Sequence, residues 1–348
     1  MAKTGPGGIE TKLTMAPPKE TSSFVKKIYE KAQKPGAKRT GEIANFGLWY
    51  PPEGVKPVPH MRIGEMAVPD IMARDEKKDT ALWPYLFQLV PGWMWGNQGT
   101  GDCVSWGWKH MLDILMIIEI LLRGKPEMFK ALIRQEAAYA FARVEINGRP
   151  DYGGPGTYSA AAFKGAKQFG TLHELDYSDR GGLDLRKYSG QRARTWGRTG
   201  CPDHMEPIAK EHRVKEGVTV TSAEMAGALI QNGYPLTYCG HTYWGRTRNS
   251  DGIATRHSSG AHCMTITGVR YKSNGEPWCF FVANTGHGNH CSGPKGPIDM
   301  PDVYAQQGAW VETRRVEPVL RRGDCHSVSV YEGFKARELP DIGSHVFG

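Results

Sequence analysis

Gln98, Cys103, His262 and Asn284 occur in an order and spacing that can support nucleophilic chemistry. Cys103 stands between a glycine-rich turn, GNQGTGD, and a long apolar run, VSWGWKHMLDILMIIEILL. The start of a helix offers unpaired backbone N–H groups and the positive end of the helix dipole, so a thiol placed there can be held as thiolate. A cysteine nucleophile also needs a base, a group that orients the base, and donors for the developing oxyanion. His262 opens the alternating segment HCMTITGVRY, Asn284 closes the apolar segment WCFFVAN, and KSNGEP between them supplies a turn. Antiparallel pairing of the two segments brings the Asn284 side-chain oxygen within reach of an imidazole N–H. Gln98 offers a side-chain donor that can share an oxyanion site with the Cys103 N–H. Taken singly these residues are ordinary: a cysteine at a helix start is commonly an inert small apolar residue, and an asparagine at a strand end a turn former. The ordered set is what points to chemistry.

The elements that must position this set are legible in outline. From Val104 to Leu122 apolar residues cover almost every face, which predicts a buried helix closed by GKP at 124–126. Its apolar stretch, Met111 to Leu122, carries Asp113 and Glu119 and is too short to span a bilayer. Further helices are expected at Pro126–Val144, Tyr158–Phe169 and Ser222–Asn232, and YPLTYCG at 234–240 reads as a buried strand. A helical first half followed by a sheet-rich second half is an α+β arrangement.

The rest of the composition limits the partners. At 348 residues, with 39% hydrophobic and 10% aromatic content, the chain is globular and can bury one large core or two smaller ones. Of the net charge of +8, residues 1–42 hold nine Lys/Arg against four Glu, which reads as a solvated basic tail. The segment Arg180–Arg198 has six basic residues and one acidic, but only Tyr188 and Trp196 interleave, so it reads as a solvated insertion and no nucleic-acid partner is expected. Residues 1–92 contain 11 of the 23 prolines, and residues 1–80 read as an extended arm, with a short helix at Ser22–Gln33, that binds another protein. The seven cysteines are odd in number and lack CxxC spacing, so reduced thiols are expected rather than a disulfide framework. No apolar secretory signal opens the chain, which places it in the cytoplasm or on a virion. GHGNHC puts His287, His290 and Cys291 close together, but with no paired ligand motif it reads as a glycine-rich loop; no metal and no cofactor are expected.

Together these segments resemble the papain-like cysteine peptidases. NQGTGDCVSWG is similar to the family's nucleophile motif, GAHCMTITGVRY to its histidine motif, WCFFVANTGHG to its asparagine motif, and DYGGPGTYSAAAFKGAKQFG to the paired-glycine segment and following helix. The resemblance covers about residues 83–313. It implies a two-lobed fold at 81–314, with a helical lobe at 83–175 and a mainly β lobe at 200–314, followed by a C-terminal extension at 315–348. It implies that Cys103 is the nucleophile, His262 the base and acid, Asn284 the orienter, and Gln98 with the Cys103 N–H the oxyanion hole. Gly153 and Gly154 would pair with substrate backbone, and Ala261 and Cys263 would line the specificity pocket. The reaction implied is hydrolysis of a peptide or amide bond through a thioacyl intermediate. Three features depart from the pattern. The Gln98–Cys103 spacing is one residue shorter than usual, Asp102 replaces a small neutral residue and would either disfavour the thiolate or serve as helix N-cap, and Thr285-Gly286 replaces a covering tryptophan. The family's disulfide positions are unmatched, and the first 80 residues look too extended for its helical propeptide. These departures, with the arms, define an alternative: a catalytically weak or inactive papain-like domain serving as a structural or interaction protein of a larger assembly such as a phage virion. Cleavage of cell-wall peptides is a third reading of the same residues.

Overall fold

The apolar run after Cys103 forms one helix, Cys103–Leu122, buried along nearly its whole length. The structure is a computed structural model that describes residues 69–72, 77–91, 93, 95–148, 155–244, 247–255, 257–285, 293–296, 298, 308–330 and 334–339. All of them belong to one unit, residues 39–348. Against the central helix lies an antiparallel seven-stranded sheet: β1 (Thr80–Ala81), β4 (Glu216–Thr219), β5 (Leu236–Trp244), β6 (His257–Tyr271), β7 (Pro277–Ala283), β8 (Gly308–Glu312) and β9 (His326–Ser329). Its order is β4–β9–β5–β6–β7–β8, and β1 adds to β6 beyond the end of β5, through Thr80↔Val269. Two further strands, β2 (Ile133–Arg134) and β3 (Leu172–His173), form a separate pair. The α+β arrangement and the expected β6–β7 hairpin are both present, with the KSNGEP turn closed by Lys272 N–H to Glu276 O at 2.9 Å.

Glycine brings helix and sheet together. A Cβ on Gly107 would lie 3.0 Å from both Cys263 Sγ and Met264 O, so only glycine lets the helix approach β6 this closely. Thr265 Oγ1 on β6 donates to Gly107 O at 2.9 Å and fixes the register of the contact. The thiol-bearing end of the helix is thereby laid against the strand that carries His262.

Several expectations are corrected. The helix expected at Pro126–Val144 is broken: only Gln135–Ala140 is α-helical, continued by a wider π turn at Phe141–Glu145. Local propensity loses to buried polar tethers, because Ile133 N–H donates to Asp113 Oδ1 at 2.7 Å and Lys109 Nζ to Ile133 O at 2.8 Å, which holds 133–134 extended. The basic segment is not a loose insertion, for Gly190–Thr199 is a helix capped by Ser189 that buries Ala193 and Trp196. The chain after 314 is not an appendage, since β9 is an interior strand between β4 and β5. The distal end of the expected arm joins the fold, with Ile71 in the core and Thr80 paired with Val269 of β6. Cys239 and Cys263 face each other across β5 and β6 and are joined as a disulfide, against the expectation of reduced thiols. Ser22–Gln33 and the GHGNHC segment lie outside the described residues, and among the described residues no helix is long and apolar enough to cross a membrane.

Candidate active site

Three segments meet where the central helix begins. β6 supplies His262, which sits opposite Gly240 of β5, immediately before a register shift at Gly240/Thr242. Such bulges re-aim side chains next to functional sites. Asn284 follows the last residue of β7, and the hairpin register carries it back to His262. Their side chains meet at 2.6 Å, His262 Nε2 to Asn284 Oδ1. A carbonyl oxygen only accepts, so Nε2 carries the hydrogen and Nδ1 is left as the basic nitrogen of the ring. His262 and Asn284 are 1% and 2% exposed, so the bond is shielded from water although no tryptophan of the family's kind follows Asn284.

Cys103 is the first residue of the central helix. The backbone of Cys263, the neighbour of His262, and the helix's own first amides act in favour of its thiolate. They are outweighed by burial, since Cys103 is fully buried, and by the adjacent Asp102 charge, and together these push the thiol far above its ordinary range. Asp102 sits at the N-cap position but makes no capping bond with its side chain, which corrects the capping expectation. Its carboxylate instead accepts from Tyr188 Oη at 2.9 Å, and burial lifts its pKa to about 7 against the lowering effect of that bond.

Gln98 lies on the turn before the helix. Its Nε2 donates to Thr100 O at 3.0 Å, and its Oε1 accepts from Thr285 Oγ1 at 3.4 Å, which links the turn to the residue after Asn284. Gln98, Cys103, His262 and Asn284 are thus brought together through neighbouring residues. Gly153 and Gly154 lie outside the described residues. Ala261 and Cys263 flank His262 as the sequence requires, but each is 1% exposed and Cys263 is disulfide-bonded, so neither presents a side chain to a cleft.

Residues not singled out in the sequence support the turn from behind. Gly99 N–H donates to Tyr188 Oη at 2.7 Å and Arg194 Nη1 to Gly99 O at 2.7 Å. The Tyr188 segment is held by Glu136, a fully buried carboxylate that accepts from Ser189 N–H at 2.9 Å and Arg192 Nη2 at 2.7 Å. Arg134 completes the anchor through Leu185 O at 2.7 Å and Arg186 O at 3.0 Å. The sequence signal was present, because Tyr188 is an aromatic residue inside a strongly basic stretch, but its partners lie far away in the chain. Among the described residues no group of His, Cys, Asp or Glu is arranged to hold a metal ion.

No family model matches the sequence, and no curated protein matches it. Among solved structures the chain is similar to xylellain, a cysteine protease from Xylella fastidiosa, with 13% identity and a TM-score of 0.49 over 84% of this chain and 96% of that one. It is similar also to procathepsin B S9 from Trypanosoma congolense, with 11% identity and a TM-score of 0.48 over 82% of this chain and 86% of that one. The Amb a 11 cysteine protease, a ragweed pollen allergen in its proform, follows at 12% identity and a TM-score of 0.43, over 76% and 70%. At these scores the likeness is one of general course. In the chain's own topology a cysteine at the head of a buried helix is followed by a histidine on one antiparallel strand and an asparagine just past the end of the next.

Proposed function

We propose that the chain is a papain-like cysteine peptidase or amidase acting on a peptide or protein substrate. The observation that carries this reading is the 2.6 Å bond from His262 Nε2 to Asn284 Oδ1, combined with the place of Cys103 at the head of a helix that is tied to the His262 strand through Thr265 and Gly107. In this reading Asn284 holds the imidazole with Nδ1 basic, and Nδ1 takes the Cys103 proton as the sulfur attacks the substrate carbonyl. The oxyanion is met by the Cys103 N–H and the Gln98 side chain. His262 then gives the proton to the leaving amine, and a water molecule, deprotonated by the same nitrogen, releases the acyl group from sulfur.

A second reading rests on one specific observation, the full burial of both Cys103 and Asp102. A thiol held neutral beside a carboxylate suits a papain-like frame without chemistry, serving as an interaction module of a larger assembly. Iodoacetamide at limiting concentration and pH 6 separates the two, because an ordinary thiol is almost wholly protonated there. The peptidase reading expects fast labelling of Cys103 alone, lost in His262→Ala. Slow and uniform labelling of the unpaired cysteines would establish the inactive frame.

A further inference from the structure

The turn that carries Gln98 is one residue shorter than the family pattern, and what fixes its shape comes from the basic segment. Tyr188 Oη is a junction: it donates to Asp102 Oδ2 at 2.9 Å and accepts from Gly99 N–H at 2.7 Å. It therefore ties the residue after Gln98 to the residue before Cys103 through a single oxygen. Arg194 grips the same residue through its carbonyl, Nη1 to Gly99 O at 2.7 Å. Two glycines make this contact possible, since a Cβ on Gly99 would lie 2.9 Å from Gly190 Cα and one on Gly190 3.0 Å from Gly99 Cα. The junction is rigidly mounted, with Ser189 and Arg192 on the buried Glu136 and the Tyr188 ring 5.1 Å from Trp106 on the central helix.

We propose that Tyr188 is a positioning residue for acyl transfer: its hydroxyl, bonded to Asp102 and Gly99 at once, holds the Gln98–Gly99 turn in register with Cys103 so that the Gln98 amide and the Cys103 N–H converge on one oxygen. This rests on the peptidase reading above. Two partners, the Gly99 backbone N–H at 2.7 Å and the Asp102 carboxylate at 2.9 Å from one atom, set the distance between the two oxyanion donors, which the shortened turn alone would leave loose. Arg194 acts in the same sense and more weakly, because it is exposed.

The test exploits a difference between two reactions of the same sulfur. Acylation of Cys103 by p-nitrophenyl acetate passes through a tetrahedral oxyanion and expels p-nitrophenolate. Alkylation by iodoacetamide is a direct displacement of iodide at carbon and forms no oxyanion. Tyr188→Phe is expected to slow acylation roughly 10- to 100-fold, the cost of misplacing one oxyanion donor. Alkylation at pH 6 should change less than about threefold, because Asp102, with a pKa of about 7, is mostly neutral there with or without the tyrosine hydroxyl. Arg194→Ala, a surface change that leaves the Glu136 anchor intact, should show the same split at smaller size, about 3- to 10-fold. Equal acylation in wild type and Tyr188→Phe would overturn the positioning role and leave the peptidase reading standing. A parallel fall of acylation and alkylation in both variants would also overturn it, because the tyrosine would then serve the thiol or the fold. A wild-type protein that is not acylated at Cys103 would overturn the peptidase reading, and the positioning role with it.

Discussion

The two halves of the candidate site are built on opposite principles. The His262–Asn284 half is a hairpin whose two polar side chains meet at 2.6 Å, one on β6 and the other just past the end of β7. The Gln98–Cys103 half is a short turn held from outside by Tyr188, Arg194 and, behind them, Glu136. The first half holds the His262 imidazole through a bond within one hairpin. The second places a sulfur and a carboxylate side by side in a fully buried position, where both charged forms are disfavoured. The lesson of the contrast is that the orientation of the His262 ring is set within one hairpin, whereas the surroundings of the Cys103 thiol depend on neighbours that the fold brings in from a distant segment.

Four substitutions break or sharpen the contrast. The largest effect is expected from His262→Ala, which removes the base altogether and should reduce both Cys103 alkylation at pH 6 and acyl transfer by about a thousandfold or more. Glu136→Ala leaves Arg192, Arg134 and Ser189 N–H around a vacated buried position and should cost about 3–5 kcal/mol in chemical denaturation. Asn284→Ala leaves the base present but unoriented, and steady-state kinetics should show a fall in kcat of roughly 10- to 100-fold with little change in KM.

The fourth, Asp102→Asn, acts on the nucleophile's half through pH. Burial raises the Asp102 pKa to about 7, so the group is neutral at pH 5.5 and charged at pH 8.5; the groups bearing on it are Tyr188, Glu136 and Cys103. Its charge raises the thiol further, so wild-type alkylation should fall behind that of Asp102→Asn by about tenfold at pH 8.5, and the two should coincide at pH 5.5. Stability follows the same group. A folded pKa above the unfolded value means that full stability is present below about pH 4 and is lost as pH rises through 7, and the asparagine variant should lack that decline in denaturation midpoints measured from pH 4 to 8.5. A wild type and variant with parallel pH profiles would show that Asp102 does not couple to the thiol.

The hairpin and the central helix were legible because their signals are local. Alternation in HCMTITGVRY, the KSNGEP turn and the all-round apolar character of 104–122 each specify one element without help from the rest. The break at 126–134 was not legible, since it is imposed by Asp113 and Lys109 reaching across to Ile133. Nor was the role of the segment around Tyr188, whose positive charge looked solvated although Arg192 is spent on Glu136 and Arg194 on Gly99 O. Asp102 was read as a cap from its position, but the Tyr188 hydroxyl competes successfully for its carboxylate. Residue type and order pointed to Gln98, Cys103, His262 and Asn284; which groups support them depends on contacts that no local pattern encodes.

The strand β9 has a consequence for how the chain acquires its structure. Residues 326–329 lie between β4 and β5, pairing Leu236 with Ser327 and Gly217 with Val328, so the sheet's interior is closed by a strand that follows the His262 hairpin in the sequence. During synthesis the hairpin that bears His262 can form as it leaves the ribosome, but β4 and β5 retain unsatisfied edges until residues 326–329 have emerged. The nascent domain thus passes through a stage with two open strand edges, the species on which misassociation and chaperone capture act.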